Sequence, residues 1–447
     1  MSTSDETIFA LASGRGRAGV AVIRISGPNS SAALVRLTGR LPPPRRASQA
    51  RIRDDAGELL DAGLILWFPA PASFTGEDVA ELHVHGGRAV IEGALAALAQ
   101  CPGLRLAEPG EFSRRAFTNG KLDLTAAEGL ADLIEAETAT QRRQALRQMQ
   151  GALAALYEGW REQLVAALVH VEAAIDFAEE DIPGDLETRA REAAAQLAGE
   201  MSGHLDDGHR GERLREGIEI AIIGPPNAGK SSLLNALSGR AAAIVSPHPG
   251  TTRDVIEVAL DLGGYPVILA DTAGLREPAG PVEREGVERA QQWAGAADIR
   301  LVVLDGAVWP RVDARTMALA AAPSLLVVNK ADLLGDEAPD GRLTVADGEA
   351  LTVSALTGVG VADLVTALKD VVTARFDVAS APCLTRLRHR LALETCRDAL
   401  WRAQDAASAE LLAEDLRLAA DGLGRITGRI DVEEVLDEIF RTFCIGK

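Results

Sequence analysis

The sequence predicts a multidomain α/β protein: an N-terminal α+β domain, a helical domain, and, inserted into the helical domain, an α/β domain with a mostly parallel, doubly wound sheet. Three observations predict it. Apolar strand patterns alternate with helical patterns between residues 216 and 375, the signature of a parallel sheet wrapped by helices. Stripes of apolar residues at steps of three and four flank that stretch on both sides. One helical domain interrupted by an insertion, whose two ends lie close together, accounts for both. The expected division is 1–118 for the N-terminal domain, 119–215 and 376–447 for the two parts of the helical domain, and 216–375 for the insertion.

Taken in order, Val20–Ser26 reads as a strand closed by Gly27-Pro28, and Leu64–Phe68 as a second strand ended by Pro69 and Pro71. Val79–His85 alternates at period two, which puts Glu81, His83 and His85 on one face. Two histidines without a third ligand read as a polar sheet face rather than a metal site. Leu146, Met149, Leu153, Leu156, Trp160, Leu164, Leu168, Val171 and Ile175 form one stripe on a long helix, and Leu186–Leu214 reads as another helix. The strands of the insertion are Glu219–Ile223, Val255–Leu260, Val267–Asp271, Ile299–Leu304, Leu325–Val328 and Leu351–Val353. Leu262-Gly263-Gly264-Tyr265 is a hairpin turn, so one edge strand is antiparallel. Helices resume over Leu384–Ala403, Ala409–Leu423 and Val432–Phe443.

Composition narrows the function. The 447 residues are 47% hydrophobic and 25% charged, as in ordinary globular domains. No stretch reaches the ~18 apolar residues of a membrane span, and Met1–Asp5 does not open a signal peptide. Cys101, Cys383, Cys396 and Cys444 lack metal or disulfide-framework spacing. A cytoplasmic protein is expected. The net charge of −19 repels polyanions at long range and argues against a general nucleic-acid coat.

Chemistry enters at Gly224-Pro225-Pro226-Asn227-Ala228-Gly229-Lys230-Ser231. It follows the apolar strand Ile218–Ile223 and opens the helix that begins Ser232-Leu233-Leu234. That strand–loop–helix setting makes the G-x-x-x-x-G-K-S pattern a phosphate loop, with backbone N–H groups and a helix N-terminus facing phosphate. Lys230 is placed to reach the β and γ phosphates, and the Ser231 hydroxyl to ligate Mg2+. Asn329-Lys330-Ala331-Asp332 follows a strand, and a carboxylate there accepts from guanine N1–H and the 2-amino group, a donor pair adenine lacks. Ser354, Ala355 and Leu356 offer backbone N–H groups to guanine O6. Asp271-Thr272-Ala273-Gly274 brings Asp271 to the Mg2+ shell and the Gly274 N–H toward the γ-phosphate. Together these motifs predict a Ras-like GTPase domain. Gly250-Thr251-Thr252-Arg253-Asp254 lies where switch I belongs; Thr252 is assigned to Mg2+, though spacing alone does not separate it from Thr251. Leu275 stands where Ras-like enzymes place a water-orienting glutamine, so another group must orient water. Glu283 stands in a stretch that could orient or polarise that water, although its spacing alone favours a helix-start carboxylate.

Beyond the phosphate loop and switch I, Val282-Glu283-Arg284-Glu285-Gly286, Phe74-Thr75-Gly76-Glu77-Asp78, Gly110-Glu111-Phe112-Ser113-Arg114-Arg115, Asn119-Gly120-Lys121-Leu122-Asp123-Leu124 and the terminal Phe443-Cys444-Ile445-Gly446-Lys447 make the chain resemble, over nearly its whole length, the MnmE (TrmE) family of tRNA-modification GTPases. The resemblance implies a homodimer whose GTPase domains meet across nucleotide, with K+ in place of an arginine finger. The K+ ligands carry over to Asn227, Ser246, His248 and Thr251, in a loop that departs from the family by reading Ser246-Pro247-His248-Pro249. It raises Glu283 to the water-positioning group. It implies an N-terminal domain that holds a 5-formyltetrahydrofolate-type one-carbon donor through Arg24, Glu81, Lys121 and Lys447, where cations suit the donor's carboxylates and a carboxylate suits its pterin. It makes Cys444 the reactive residue in C5 modification of the tRNA wobble uridine, carboxymethylaminomethyl or aminomethyl, with an FAD-dependent partner in a heterotetramer. The other reading of Cys444 is an apolar tail residue.

Two basic clusters, Arg386-Leu387-Arg388-His389-Arg390 and Arg142-Arg143 with Arg147, are either tRNA contacts or solvated helix faces. Two further functions compete: a regulatory or ribosome-assembly GTPase without modifying chemistry, and a one-carbon transferase in which GTP serves only structure.

Overall fold

In a computed structural model of the chain, the described residues are 6–14, 16–176, 185–240, 242–243, 256–271, 295–318, 320, 323–335, 341–345, 348–377, 382–430, 436, 439–441, 443, 445 and 446. They fall into two compact units, one drawn from residues 1–131, 148–193 and 402–447 and the other from 132–147 and 194–401.

The first unit contains a six-stranded sheet of β1 (Thr7–Leu11), β2 (Ala18–Ser26), β3 (Ser48–Arg53), β4 (Leu59–Phe68), β5 (Val79–Gly86) and β6 (Leu104–Leu106), in the order β3-β4-β5-β2-β1-β6. Neighbours are antiparallel except β1 and β6, which are parallel. Helices α1 (Ser30–Thr38) and α2 (Arg88–Ala99) cover one face, where Ile23, Ile25, Ile52, Ile65, Leu82 and Val84 meet Leu34, Leu37 and Leu98. Because side chains alternate along a strand, that burial turns Arg24, Glu81 and His83 to the other face.

Helices α3 (Glu111–Thr118), α4 (Leu124–Glu135), α5 (Ala139–Met149) and α6 (Ala152–Asp176) follow. The expected continuous helix through 146–175 is two helices. Gly151 takes φ +85° between α5 and α6, the left-handed geometry in which glycine ends a helix. The stripe survives the break, since Leu153, Tyr157, Trp160, Leu164 and Val171 are all buried on α6. Helix α6 packs along Ala409–Thr427, with Glu158 paired to Arg429 at 3.2 Å and Glu172 paired to Arg417. Leu436, Phe440 and Phe443 bury against Leu124 and Ala127; Val432 and Val435 of the same expected stripe lie outside the described residues. The helix expected over 186–214 is also divided, into α7 (Leu186–Leu205) and α8 (Arg210–Glu216), with Gly208 at φ +64° and His209 at φ +58° between them.

The second unit holds an eight-stranded sheet in the order β13-β14-β12-β11-β7-β10-β9-β8. The strands are β7 (Ile218–Ile223), β8 (Ala242–Ala243), β9 (Ile256–Leu262), β10 (Tyr265–Asp271), β11 (Ile299–Asp305), β12 (Ser324–Asn329), β13 (Arg342–Val345) and β14 (Gly348–Thr352). The five central strands are parallel. The expected hairpin joins β9 to β10. The opposite edge is antiparallel too, through β13, a strand whose Arg-Leu-Thr-Val carries too few apolar residues to be read from sequence.

Both faces are covered, which is why the central strands are continuous apolar runs. On one face Ile218, Ile220, Ile222, Leu301 and Val303 meet Leu233, Leu234 and Leu237 of α9 (Lys230–Arg240) and Val361, Leu364, Leu368 and Val372 of the helix Val361–Phe376. Burying each such side chain contributes about 1.5–3 kcal/mol. That packing fixes where the strand ends, and hence the loops, must lie.

Candidate functional site

The nucleotide motifs gather at the C-terminal ends of the parallel strands β7, β10, β11, β12 and β14, where ligands of open α/β sheets bind. Two glycines shape the phosphate loop by necessity. A Cβ on Gly224 would stand 2.3 Å from the Val303 carbonyl oxygen, and one on Gly229, at φ +85°, 2.3 Å from Asn329 Nδ2. Asn227 is exposed and left-handed at φ +65°. Ala228 is buried, and Ser231 and Ser232 are exposed in the first turn of α9, where unpaired N–H groups and the helix dipole favour an anion.

Lys230 is 7% exposed and donates to the carbonyls of Gly224 (2.9 Å) and Pro225 (3.0 Å). Burial pulls its pKa below the ordinary lysine value, against the opposing pull of the Asp271 charge. Ser231 Oγ donates to Asp271 Oδ2 at 2.5 Å, and Asp271 Oδ1 is buried with no partner among the described residues. A hydroxyl, a carboxylate and an unpaired buried oxygen make a donor set that suits a hard dication such as Mg2+.

Asn329 joins the phosphate loop to the base loop. It is 2% exposed; its Nδ2 donates to the Ala228 carbonyl at 2.8 Å, and its Oδ1 accepts from the Ala355 N–H at 3.0 Å. Asp332 Oδ1 accepts from Ser354 Oγ at 2.5 Å, which aims the carboxylate from the side of the Ser354 loop. The Ser354 N–H is spent on the Val359 carbonyl and that of Ala355 on Asn329, while Leu356 is 86% exposed. Lys330, left-handed at φ +64°, holds Asp305 Oδ2 at 2.8 Å. Asp305 ends β11 in register with Asn329, and no sequence motif marks it. Ser246, Pro247, His248, Pro249, Gly250, Thr251, Thr252, Thr272, Ala273, Gly274 and Glu283 lie outside the described residues.

A second polar constellation lies on the face of the N-terminal sheet opposite α1 and α2, beside the cluster of Ile8, Ala10, Phe112 and Phe74. Arg24 and Glu81 are register partners on β2 and β5, and Arg24 donates to Glu81 Oε1 through Nε at 3.1 Å, with its terminal nitrogen at 3.0 Å. The guanidinium also lies 5.3 Å from the Phe74 ring centre and 5.9 Å from that of Phe112, within cation–π range. The loop carrying Phe74 is pinned beneath. Ser26 Oγ meets Thr75 Oγ1 at 2.7 Å and donates to Glu77 Oε2 at 2.8 Å, buried Arg115 donates to Glu77 at 3.0 Å, and Asn119 Nδ2 donates to the Thr75 carbonyl at 2.7 Å. Lys121 is exposed, and a Cβ on Gly76 would meet its Cε at 3.3 Å. Arg24 and Lys121 thus flank one loop. Cys444 and Lys447 lie outside the described residues, but Ile445 bridges to Pro109, and a Cβ on Gly446 would meet the Leu11 carbonyl at 2.1 Å. Leu11 is the register partner of Ile23, next to Arg24.

The family model for the MnmE helical domain matches residues 124–444, and the model described as the GTP-binding protein TrmE N-terminus matches residues 7–121. The chain belongs to the MnmE family. The tRNA modification GTPase MnmE of Paramagnetospirillum magneticum is 60% identical, over 99% of this chain and 100% of its own length. Those of Rhodospirillum rubrum and Caulobacter vibrioides are 56% and 53% identical, each over 99% of this chain and at least 99% of their own lengths. The chain is a GTP hydrolase, as its relatives in the MnmE family are named, and its phosphate loop is consistent with that activity.

One expectation about this MnmE-family chain fails. Arg386, Arg388, His389 and Arg390 do not form a free basic face. His389 is fully buried, Arg386 pairs with Asp132 at 2.7 Å, and Arg390, 6% exposed, is held by Asp207 at 2.8 Å, Glu212 at 3.2 Å and the Leu205 carbonyl at 2.8 Å. A sequence cluster of charge became an internal network because α8 and the turn before it bring carboxylates to the helix. Arg142 and Arg143 of α5 do face solvent.

Proposed function

We propose that the chain is a K+-stimulated GTPase of tRNA wobble-uridine modification, acting in the cytoplasm as a homodimer with an FAD-dependent partner in a heterotetramer, and that hydrolysis drives a conformational cycle of the dimer. The observation that carries the nucleotide half is the convergence of Lys230, Ser231, Asp271, Asn329 and Asp332 at adjacent strand ends. Lys230 and the first turn of α9 take the phosphates, and Ser231, Asp271 and Thr252 take Mg2+, which neutralises charge on the transferred phosphoryl group. Asp332 accepts from the guanine edge. Asn227 supplies a side-chain oxygen to K+, together with Ser246, His248 and Thr251, and Glu283 orients the attacking water in place of the missing glutamine.

The modification half is carried by the Arg24–Glu81 pair, the two rings beside it and Lys121. A pair of opposite charges over aromatic rings fits a folate one-carbon donor, with Arg24, Lys121 and Lys447 for carboxylates and Glu81 for pterin N–H groups. Cys444 is the reactive thiol of this proposal. Cys101 and Cys396 are buried, and burial pushes the Cys383 thiol up to about 12, so none of them is a ready thiolate. The domain division proposed is the inserted GTPase domain over 216–375.

Hydrolysis measured in KCl and in NaCl, for the full chain and Asn227→Ala, tests the first half. Faster turnover in K+, lost in the variant, is expected; equal rates in both salts would remove the K+ assignment. Calorimetric titration of 5-formyltetrahydrofolate tests the second, with saturable binding expected and its loss in Arg24→Ala. No binding to the intact protein would favour a regulatory GTPase instead.

A further inference from the structure

His83 belongs to the polar face of its strand, and its imidazole makes one specific contact. Its Nε2 lies 3.1 Å from Glu81 Oε2, while the other oxygen of the same carboxylate takes Arg24. His85, two residues on, is separately engaged: its Nδ1 lies 2.8 Å from Asp61 Oδ1, and its backbone N–H donates to Asp61 Oδ2 at 2.7 Å. The two histidines therefore serve different carboxylates. A carboxylate only accepts, so the His83 contact requires the proton on Nε2. Glu81 is thus held at both oxygens, by one long flexible side chain and by one short ring.

Those two holds are not equivalent. His83 stands on β5 in register between Val22 of β2 and Leu64 of β4, two residues from Glu81 on the same strand and face, so strand geometry fixes its distance. Arg24 is the register partner of Glu81 on the neighbouring strand, but it holds the carboxylate through a long side chain whose guanidinium also lies over two aromatic rings. An anionic ligand that draws the Arg24 guanidinium away leaves Glu81 with His83 as its remaining donor. Without that donor a half-buried carboxylate would lose its orientation at the moment it is needed.

We propose that His83 is a positioning residue of the one-carbon-donor site, which fixes the Glu81 carboxylate through Nε2–H so that Arg24 is free to engage an anionic ligand. The proposal rests on the folate reading of this face. Glutamine carries an Nε2–H donor and can substitute for that role; alanine cannot.

The test is calorimetric titration of 5-formyltetrahydrofolate into the full-length protein and its His83→Ala, His83→Gln, Glu81→Ala and Glu81→Ala/His83→Ala variants, each checked by thermal melting. The expected result is binding weakened on the order of tenfold in His83→Ala, the size of one charge-assisted hydrogen bond. Recovery to within about threefold is expected in His83→Gln, and no further loss when His83→Ala is added to Glu81→Ala, because a residue acting through Glu81 is non-additive with it. Wild-type binding with His83→Ala unchanged, with glutamine no better than alanine, or with additive losses would overturn the role of His83 and leave the folate site standing. Absence of saturable binding by the wild-type protein would overturn both.

Discussion

Asn329→Ala tests whether the nucleotide site is one assembly or a set of independent loops. The substitution removes a side chain that is 2% exposed and bridges two loops. It leaves the Ala228 carbonyl without its 2.8 Å donor and the Ala355 N–H without its 3.0 Å acceptor. Each unpaired buried polar group costs about 1–3 kcal/mol. Ala355 is half-buried and recovers part of its loss from water, so about 2–3 kcal/mol in all is expected. Because both bonds set the spacing between the phosphate loop and the base loop, most of that loss falls on nucleotide binding. At 1.4 kcal/mol per factor of ten it corresponds to a Kd raised about 30- to 150-fold. GDP and GTP are affected alike, since neither bond involves the γ-phosphate side. Titration of a fluorescent guanine nucleotide, with a circular-dichroism melt to verify folding, measures it. A folded variant whose GDP affinity stays within about threefold of wild type would refute the bridge.

Three further outcomes follow from the same geometry. Asp332→Asn replaces an acceptor pair with one acceptor and one donor, so preference should move from guanine toward xanthine nucleotides; competition between GTP and XTP reads it, and retained GTP preference contradicts the assignment. Burial opposes ionisation of Glu212, but hydrogen bonds from Arg390 and His209 more than offset it and hold the carboxyl below its ordinary range. A depressed folded pKa means its stabilisation is present above the unfolded value near ~4.3 and is lost as pH falls through the folded value. The deficit of Glu212→Gln in urea unfolding, about 2 kcal/mol at pH 7 for a charged hydrogen bond, should therefore shrink below pH ~4, and a pH-independent deficit contradicts the network. Gly151→Ala meets no atom within 4 Å but must adopt φ +85°, so it should cost only the left-handed strain of about 1–2 kcal/mol; a wild-type melting temperature would deny that the break between α5 and α6 is fixed.

The parallel sheet was legible because strands buried on both faces are continuous apolar runs, and its loops because phosphate and guanine recognition demand particular residues at strand ends. The helix break at Gly151 was not. An apolar stripe reports which side faces the core, and that side persists through a one-residue left-handed turn. Short strands such as β3, with only Ala50 and Ile52 buried, carry too little pattern to separate from loop. Arg390 shows the other limit: its charge is visible in sequence, but the carboxylates that bury it come from residues 207 and 212. Pairings of that kind, like His83 with Glu81, depend on where the backbone has already gone.

In the proposed function GTP hydrolysis drives tRNA chemistry, and nucleoside mass spectrometry of tRNA tests that link most directly. Cells lacking the gene would be complemented with the wild-type chain or with Lys230→Ala. C5-modified wobble uridine is expected to be lost on deletion, restored by the wild-type chain and not restored by the variant. Unchanged wobble uridine in the deletion strain, or full restoration by Lys230→Ala, would contradict that link.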